Sequence, residues 1–158
     1  MLNNRTLLTA LGLMCFTFIG VALYLQHAKD MPPCPLCVIQ RYAFLFAGVF
    51  SLLAAWGSAQ SKPAKVWNVL ALICALTGLG YAAHHLYVQA NPGFSCGIDP
   101  METFLNKIPT ATAMPWLFQA DGLCTQPDFW LGLSIPTWSA LGFALVVIVL
   151  AFTLLRRR

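Results

Sequence analysis

Cysteine is the residue type in this chain best suited to redox chemistry, and two of the six cysteines form a Cys-x-x-Cys motif, Cys34 and Cys37. This spacing commonly lowers the pKa of one thiol and gives a strained, readily reduced disulfide. The second cysteine directly precedes a long apolar run, so we expect it at the start of a helix, where the helix dipole favours a thiolate. The motif therefore indicates a redox-active dithiol.

Two other kinds of site use the same motif, and neighbouring residues weigh against both. A structural zinc site needs a second pair of comparable spacing, or suitably spaced histidines. The candidates for a second pair, Cys96 and Cys124, are 28 residues apart. A c-type haem site needs a histidine directly after the second cysteine, and Val38 stands there. The sequence therefore predicts no metal site.

The four remaining cysteines fall into two groups. Cys96 and Cys124 lie in a long polar stretch, where they form either a static disulfide that clamps the stretch or a second redox pair that exchanges with the first. The residues alone leave both interpretations open. Cys15 and Cys74 lie inside apolar runs, where cysteine usually serves as a small buried hydrophobe.

Three further side chains could serve a ligand near the dithiol. Arg41 follows Cys37 by four residues, about one helical turn, so both face the same way. Its charge either snorkels to the membrane surface or holds a thiolate or a polar ligand head group, and the nearby dithiol favours the second role. His84 and His85 could be interfacial residues, could reach the same ligand, or could bind haem, although no other run carries a suitably placed histidine.

The composition places these residues in a membrane. Only 9% of the 158 residues are charged and 59% are hydrophobic, with a mean hydropathy of +0.72, whereas soluble domains carry about 25% charged residues. Four apolar runs are each long enough to cross the bilayer, and backbone groups in lipid must be satisfied within the segment. We predict an all-α bundle of four transmembrane helices, one domain over residues 1–158, with spans at about 7–25, 38–56, 66–88 and 138–155.

The charges predict the orientation of the bundle. The side with both termini and the short loop between the second and third spans holds six basic residues and no acidic ones: Arg5, Lys62, Lys65, Arg156, Arg157 and Arg158. The other side holds all five acids: Asp30, Asp99, Glu102, Asp121 and Asp128. By the positive-inside rule the termini are cytoplasmic and the loops at about 26–37 and 89–130 lie outside. The net charge of +4 thus reflects topology and does not indicate nucleic-acid binding.

The long outer loop is expected to touch the membrane surface. It carries four aromatic side chains, Trp116, Phe118, Phe129 and Trp130. Aromatic residues with an amphipathic body concentrate at membrane interfaces. We therefore predict that this part of the loop lies on the membrane.

Together these features resemble the DsbB family of bacterial membrane enzymes. The resemblance covers nearly the whole chain: four spans, Cys-x-x-Cys in the first outer loop and a distant cysteine pair in the second. Its most specific parts are Cys34-Pro-Leu-Cys37-Val-Ile-Gln-Arg41 and Gly132-Leu-Ser-Ile-Pro136-Thr-Trp138. The first matches the family's quinone-site arginine at Arg41, and the second is similar to the start of its fourth span. A quinone-proximal histidine of the family corresponds to His84 or His85.

The resemblance implies an enzyme of the bacterial inner membrane that reoxidises a periplasmic DsbA-like dithiol oxidase and passes the electrons to ubiquinone or menaquinone. It also implies an order of exchange. The partner attacks a Cys96–Cys124 disulfide at Cys96, Cys124 exchanges with Cys34, and Cys37, as a thiolate beside Arg41, donates to the quinone. The alternative function is a four-span scaffold whose outer loops are clamped by two structural disulfides. A buried cation next to a cysteine favours the enzyme, since a structural loop has no use for it.

Overall fold

The computed structural model describes residues 3–57, 62–91 and 98–156, with backbone only at 98–100. In these residues seven helices, α1 to α7, and two short strands, β1 and β2, follow one another. In chain order they are α1 Asn4–Ala28, α2 Pro35–Trp56, α3 Lys62–Ala90, α4 Ile98–Asn106, α5 Pro109–Ala113, α6 Pro115–Phe118, β1 Phe129–Trp130, β2 Leu133–Ser134 and α7 Ile135–Arg156.

Four of these helices, α1, α2, α3 and α7, are long and apolar enough to cross a membrane. Each contains one of the apolar runs found in the sequence and extends beyond it, so the predicted four-helix membrane bundle is confirmed. The 29 residues of α3 rise about 44 Å at about 1.5 Å per residue. That exceeds the roughly 30 Å of hydrocarbon, so α3 must tilt or protrude.

The bundle is assembled around α2, which packs against α1 and α3, while α7 closes the ring against α3 and α1. A row of stacked rings links three helices: Phe18 of α1 lies 5.0 Å from Phe44 of α2, and Phe44 lies 3.8 Å from Phe143 of α7, centroid to centroid. Phe143 presses against α3 at Gly78, where an added Cβ would stand 2.3 Å from its ring. A glycine is needed at this close approach.

One end of the bundle, which we call the cysteine end, is where α1 and α3 finish and α2 and α7 begin. Near the opposite end a polar contact joins α3 to α7: Asn68 Nδ2 donates to Thr153 Oγ1 at 2.9 Å. The Thr153 hydroxyl in turn donates to the Leu150 carbonyl at 2.8 Å. Hydrogen bonds of this kind help to hold helices together in lipid, where no hydrophobic force acts between them.

The described part of the long outer loop folds back onto α2 through α4 and α6. Phe118 is only 1% exposed and stacks on Tyr42 at 4.2 Å, and the Tyr42 hydroxyl is hydrogen-bonded to Thr110. The prediction that Phe118 lies on the membrane surface is therefore wrong, because its ring fills the space between α6 and α2. Trp116 and Phe129, by contrast, are exposed, as an interfacial position requires.

A tight hairpin leads from the loop into the last helix. Trp130 pairs with Leu133, and the two residues between them, Leu131 and Gly132, both have positive φ, as a type I′ turn demands. Trp138 on the first turn of α7 ties the hairpin down, because its Nε1 donates to the Trp130 carbonyl at 2.9 Å. The segment that the sequence assigned to the start of span four does begin α7.

Candidate active site

The Cys-x-x-Cys motif forms the first turn of α2. Cys34 is the N-cap, with its Sγ accepting from the backbone N–H of Cys37 at 3.4 Å, and Pro35 occupies the first helical position, where its missing N–H costs nothing. The two sulfur atoms are 3.2 Å apart. The prediction that Cys37 stands at a helix start is confirmed, and the pair is held as a dithiol ready to form a bond.

The two thiols have different surroundings. Cys34 is 3% exposed, and its side chain is hydrogen-bonded to those of Cys124 and Cys37. The pKa of the Cys34 thiol is raised above its ordinary value. The hydrogen bond with Cys124 has the largest effect, followed by the hydrogen bond with Cys37 and by burial. These surroundings favour the protonated form of the Cys34 thiol.

His85 reaches the dithiol from α3. Its ring is 2% exposed, with Nε2 3.7 Å from Cys34 Sγ and Nδ1 3.9 Å from Cys37 Sγ. The neighbouring His84 is exposed on the outside of α3. Of the two histidines that the sequence offered, the structure brings His85 to the cysteines and leaves His84 turned away.

Gln40 is a site residue that the sequence analysis did not select. Its buried amide lies 3.5 Å from His85 Nδ1, close enough to fix the ring. A signal was present in the sequence: an uncharged polar residue stands inside an apolar run, three positions after Cys37 and so on the same helix face.

Arg41 is fixed inside the protein and does not snorkel to the surface. It is 6% exposed, and its Nη1 donates to Gln26 Oε1 and to the Leu117 carbonyl, both at 2.8 Å. Gln26 belongs to the last turns of α1 and Leu117 to α6. The cation thus joins three elements at the cysteine end.

The loop after α6 brings Cys124 to the dithiol. The backbone N–H groups of Asp121 and Gly122 both donate to the Pro33 carbonyl at 3.1 Å, which docks the loop onto the residues just before α2. Cys124 is then buried against Cys34, Leu36 and Val88. Cys96 lies outside the described residues.

A largely apolar cavity of about 290 Å³ opens beside these groups. Apolar side chains of α1, α2, α7 and the loops that flank α2 and α7 form most of its wall, and Cys37, Gln40, Arg41 and His85 supply polar groups. Asp128 also lines it, and burial raises the pKa of this carboxyl. The cavity can hold a flat apolar molecule with one polar end against the dithiol.

Comparison with known proteins identifies the family. The family model described as Disulfide bond formation protein DsbB matches residues 4–153. The chain belongs to the DsbB family. It is similar to Disulfide bond formation protein B of Herminiimonas arsenicoxydans, with 45% identity over 100% of this chain and 99% of the relative. It is also similar to the protein of that name from Cupriavidus necator, with 44% identity over 98% of this chain and 95% of the relative.

The DsbB membership confirms the resemblance seen in the sequence and makes the chain a disulfide-forming oxidoreductase of the membrane. In a DsbB-family protein, the cluster at the cysteine end is where such chemistry would occur. Of the predicted site residues, five converge there: Cys34, Cys37, Cys124, Arg41 and His85. Their individual roles stay predictions.

Proposed function

We propose that this DsbB-family chain is a quinone-dependent thiol oxidase that reoxidises a periplasmic DsbA-like dithiol protein. The observation that carries the proposal is the pair of buried Cys34 and half-buried Cys37, which opens onto an apolar cavity that Arg41 and His85 also line. A thiol oxidase needs sulfur on one side and an electron acceptor on the other. A scaffold with two structural disulfides needs neither the cavity nor the buried cation.

The contact between Cys124 and Cys34 supports the proposed transfer between the two cysteine pairs. A partner thiolate attacks Cys96 of a Cys96–Cys124 disulfide, forming a mixed disulfide at Cys96 and releasing the Cys124 thiolate. Cys124 then attacks Cys34 of a Cys34–Cys37 disulfide, and Cys37 leaves as a thiolate.

The remaining steps restore both disulfides. The second partner thiolate attacks the mixed disulfide, which oxidises the partner and frees the Cys96 thiolate. Cys96 attacks Cys124 of the Cys34–Cys124 bond, re-forming the loop disulfide and releasing Cys34. Cys34 and Cys37 then hold the two electrons taken from the partner, and give them up when they rejoin as a disulfide.

The cavity suits a quinone head group. Its wall is mainly apolar, and the bonds of Arg41 to described residues use Nη1 alone, so further N–H groups among the five of a guanidinium can face a ligand oxygen. A bound ubiquinone or menaquinone supplies an acceptor for two electrons and two protons. His85 lies against both sulfurs and can hold or move a proton at its ring nitrogens.

The proposed location is the bacterial inner membrane, with residues 1–158 as a single domain. Both termini would be cytoplasmic and the cysteine end periplasmic. The charge distribution supports this orientation, since the six basic residues and five acids lie toward opposite ends of the chain's four spans. A periplasmic cysteine end would also expose the loop cysteines to a compartment in which disulfides persist.

The test is quinone reduction by the purified protein with a reduced thioredoxin-fold partner. We expect Ala substitution of Cys34, Cys37, Cys96 or Cys124 to abolish turnover, because each carries one sulfur of the exchange chain. Cys15→Ala and Cys74→Ala are the matched controls and should retain it, since both thiols lie within spans away from the cavity lining. Full quinone reduction by a folded Cys37→Ala protein would remove this thiol from the electron path, whereas no quinone reduction by the wild-type protein would support the scaffold.

A further inference from the structure

The reduced dithiol and His85 together have the composition of a soft-metal site. The sulfur atoms of Cys34 and Cys37 and a ring nitrogen of His85 all lie within 4.8 Å of one another. The ligands come from the first turn of α2 and from α3, 48 residues further along the chain, which is why spacing in the sequence did not reveal the site. We propose that this trio binds Zn²⁺ when the cysteines are reduced, and that the bound metal holds the enzyme inactive.

The distance from Cys34 Sγ to His85 Nε2 is close to that in a tetrahedral zinc centre, while the two sulfurs are closer together than in such a centre. With Zn–S near 2.3 Å and Zn–N near 2.0–2.1 Å, tetrahedral angles place two sulfurs about 3.8 Å apart and a sulfur and nitrogen about 3.6 Å apart. In the structure the sulfurs are 3.2 Å apart, and Cys34 Sγ is 3.7 Å from His85 Nε2. To complete the geometry, the two sulfurs must move about 0.6 Å further apart.

Gln40 can orient the histidine as a ligand. Its amide nitrogen is placed 3.5 Å from His85 Nδ1, and turning the amide about its own axis brings the oxygen to the same position. That oxygen then accepts the Nδ1 proton and leaves the lone pair of Nε2, the nitrogen nearer Cys34, for the metal. Such outer partners normally fix the tautomer of a metal-bound histidine.

Binding is tied to the redox state by simple chemistry. Two thiols bind Zn²⁺ as thiolates and release two protons, whereas the sulfurs of a disulfide have no thiolate to offer. The site therefore exists only after the partner's electrons have reached Cys34 and Cys37. Three protein ligands leave a fourth position for water, as in open zinc sites.

The inhibitory consequence rests on the proposed function. Thiolates held by Zn²⁺ cannot rejoin as a disulfide, so their electrons stay on the protein. We expect Zn²⁺ to stop quinone reduction by the full-length protein and a chelator to restore it.

The binding test uses Co²⁺ as a spectroscopic probe on the full-length protein, reduced and then freed of reductant. We expect one equivalent of Co²⁺ to bind with thiolate charge-transfer absorption, and Zn²⁺ to displace it. Cys34→Ser, Cys37→Ser and His85→Ala should lose the signal, while Cys15→Ser, Cys74→Ser and His84→Ala should keep it. Gln40→Leu should weaken Co²⁺ binding about ten- to a hundredfold, the usual effect of removing an outer partner.

A second measurement needs no variant. Zn²⁺ should protect Cys34 and Cys37 of the wild-type protein from alkylation, read by mass spectrometry of the peptides. Equal alkylation with and without Zn²⁺, or Co²⁺ binding that survives Cys37→Ser, would overturn the site. A wild-type protein that reduces quinone but binds neither Co²⁺ nor Zn²⁺ when its cysteines are reduced refutes this proposal alone. A protein that binds the metal but never reduces quinone, even after chelation, refutes the proposed function alone.

Discussion

The polar residues buried at the cysteine end are each held by a partner from elsewhere in the chain. Arg41 is bonded to Gln26 and to the Leu117 carbonyl, and His85 is in contact with Gln40. Burying a charge or a polar group without partners costs free energy, so these contacts allow reactive side chains to sit beside an apolar cavity. They also fix the positions of those side chains before a ligand arrives.

Loss of the Arg41 side chain should weaken the quinone step. In Arg41→Ala we expect the apparent quinone affinity to fall by roughly ten- to over a hundredfold, since a hydrogen bond to a charged group contributes about 1.5–3 kcal/mol. Arg41→Lys keeps the charge but loses the planar guanidinium group, so its apparent quinone affinity should lie between those of the wild type and Arg41→Ala. The measurement is turnover across a range of quinone concentrations.

A single-turnover assay of partner oxidation is the control for Arg41. The partner is oxidised by disulfide exchange with the loop cysteines, and Arg41 takes no part in that step. That rate should stay near the wild-type value. Equal quinone dependence in wild type and a folded Arg41→Ala protein would remove Arg41 from the quinone site.

The two adjacent histidines form a matched pair of variants. His85→Ala should slow quinone reduction by about a hundredfold or more, the lower range for a group that transfers protons in catalysis, because its ring lies against both sulfurs. His84→Ala should leave the rate unchanged, since this side chain is exposed on the outside of α3. The measurement is the steady-state rate of quinone reduction at saturating quinone. A slow His84→Ala protein with a normal His85→Ala protein would show that His84 is the site histidine.

The difference between these histidines marks what the sequence could and could not predict. Cys37 and Arg41 are one turn apart, so local spacing put them on one face without tertiary information. Which of His84 and His85 faces the bundle depends on the rotation of α3 against α2, and that is set by packing over the whole helix. The bond from Arg41 to the carbonyl of Leu117 spans 76 residues and has no signature in either segment.

At the scale of elements, the contact between the outer loop and the start of α2 is the narrowest in the site. A Cβ added to Gly122 would stand 2.2 Å from the Pro32 carbonyl oxygen and 3.0 Å from the Cys34 backbone nitrogen. Both are backbone atoms that cannot rotate away. A glycine at 122 therefore permits the approach that places Cys124 against Cys34.

Gly122→Ala should slow disulfide exchange between the loop and the dithiol. The backbone must separate to make room, and a misplacement of about 1 Å can cost about a hundredfold in rate. In a single turnover of Gly122→Ala with the reduced partner, we expect the loop cysteines to remain reduced. Their free thiols can be measured by trapping with a maleimide. We expect quinone reduction driven by dithiothreitol to persist, provided that this small thiol reaches the half-buried Cys37 without using the loop cysteines.

Gly20→Ala is the control for this glycine, because a Cβ there meets no atom within 4 Å. It should leave both assays unchanged. Normal exchange in Gly122→Ala would show that Cys124 reaches Cys34 by loop motion and does not depend on the docked contact.

The elements themselves were predicted well where their signal is local. The four spans follow from long apolar runs that only a membrane helix satisfies. The hairpin before α7 was not predicted, although Gly132 stands where its turn requires a positive φ. The position of Phe118 was predicted wrongly because its residue type alone suggested the membrane interface. Its burial depends on stacking against Tyr42, which lies in a helix distant in sequence. Local chemistry fixes elements, and tertiary packing decides which of their faces are covered.

At the scale of the whole molecule, four helix ends create the site. The last turns of α1 and α3 and the first turns of α2 and α7 all contribute residues to one cavity, among them Leu25, Gln89, Cys37 and Trp138. An up-and-down bundle brings these ends to the same side of the membrane. The thiol chemistry must then face one compartment, and the direction of insertion decides which partner can reach it.

The direction of insertion is therefore the last prediction. In a protein lacking native cysteines, we expect Gln119→Cys in the outer loop to react with a membrane-impermeant maleimide added to intact spheroplasts. Ser61→Cys, between the second and third spans, should react only after the membrane is opened, because Lys62 and Lys65 nearby and the terminal arginines hold that side in the cytoplasm. A permeant maleimide that labels both sites is the control for reactivity. Labelling of Ser61→Cys in intact spheroplasts would invert the topology and place the dithiol in the reducing cytoplasm, where a periplasmic partner could not reach it.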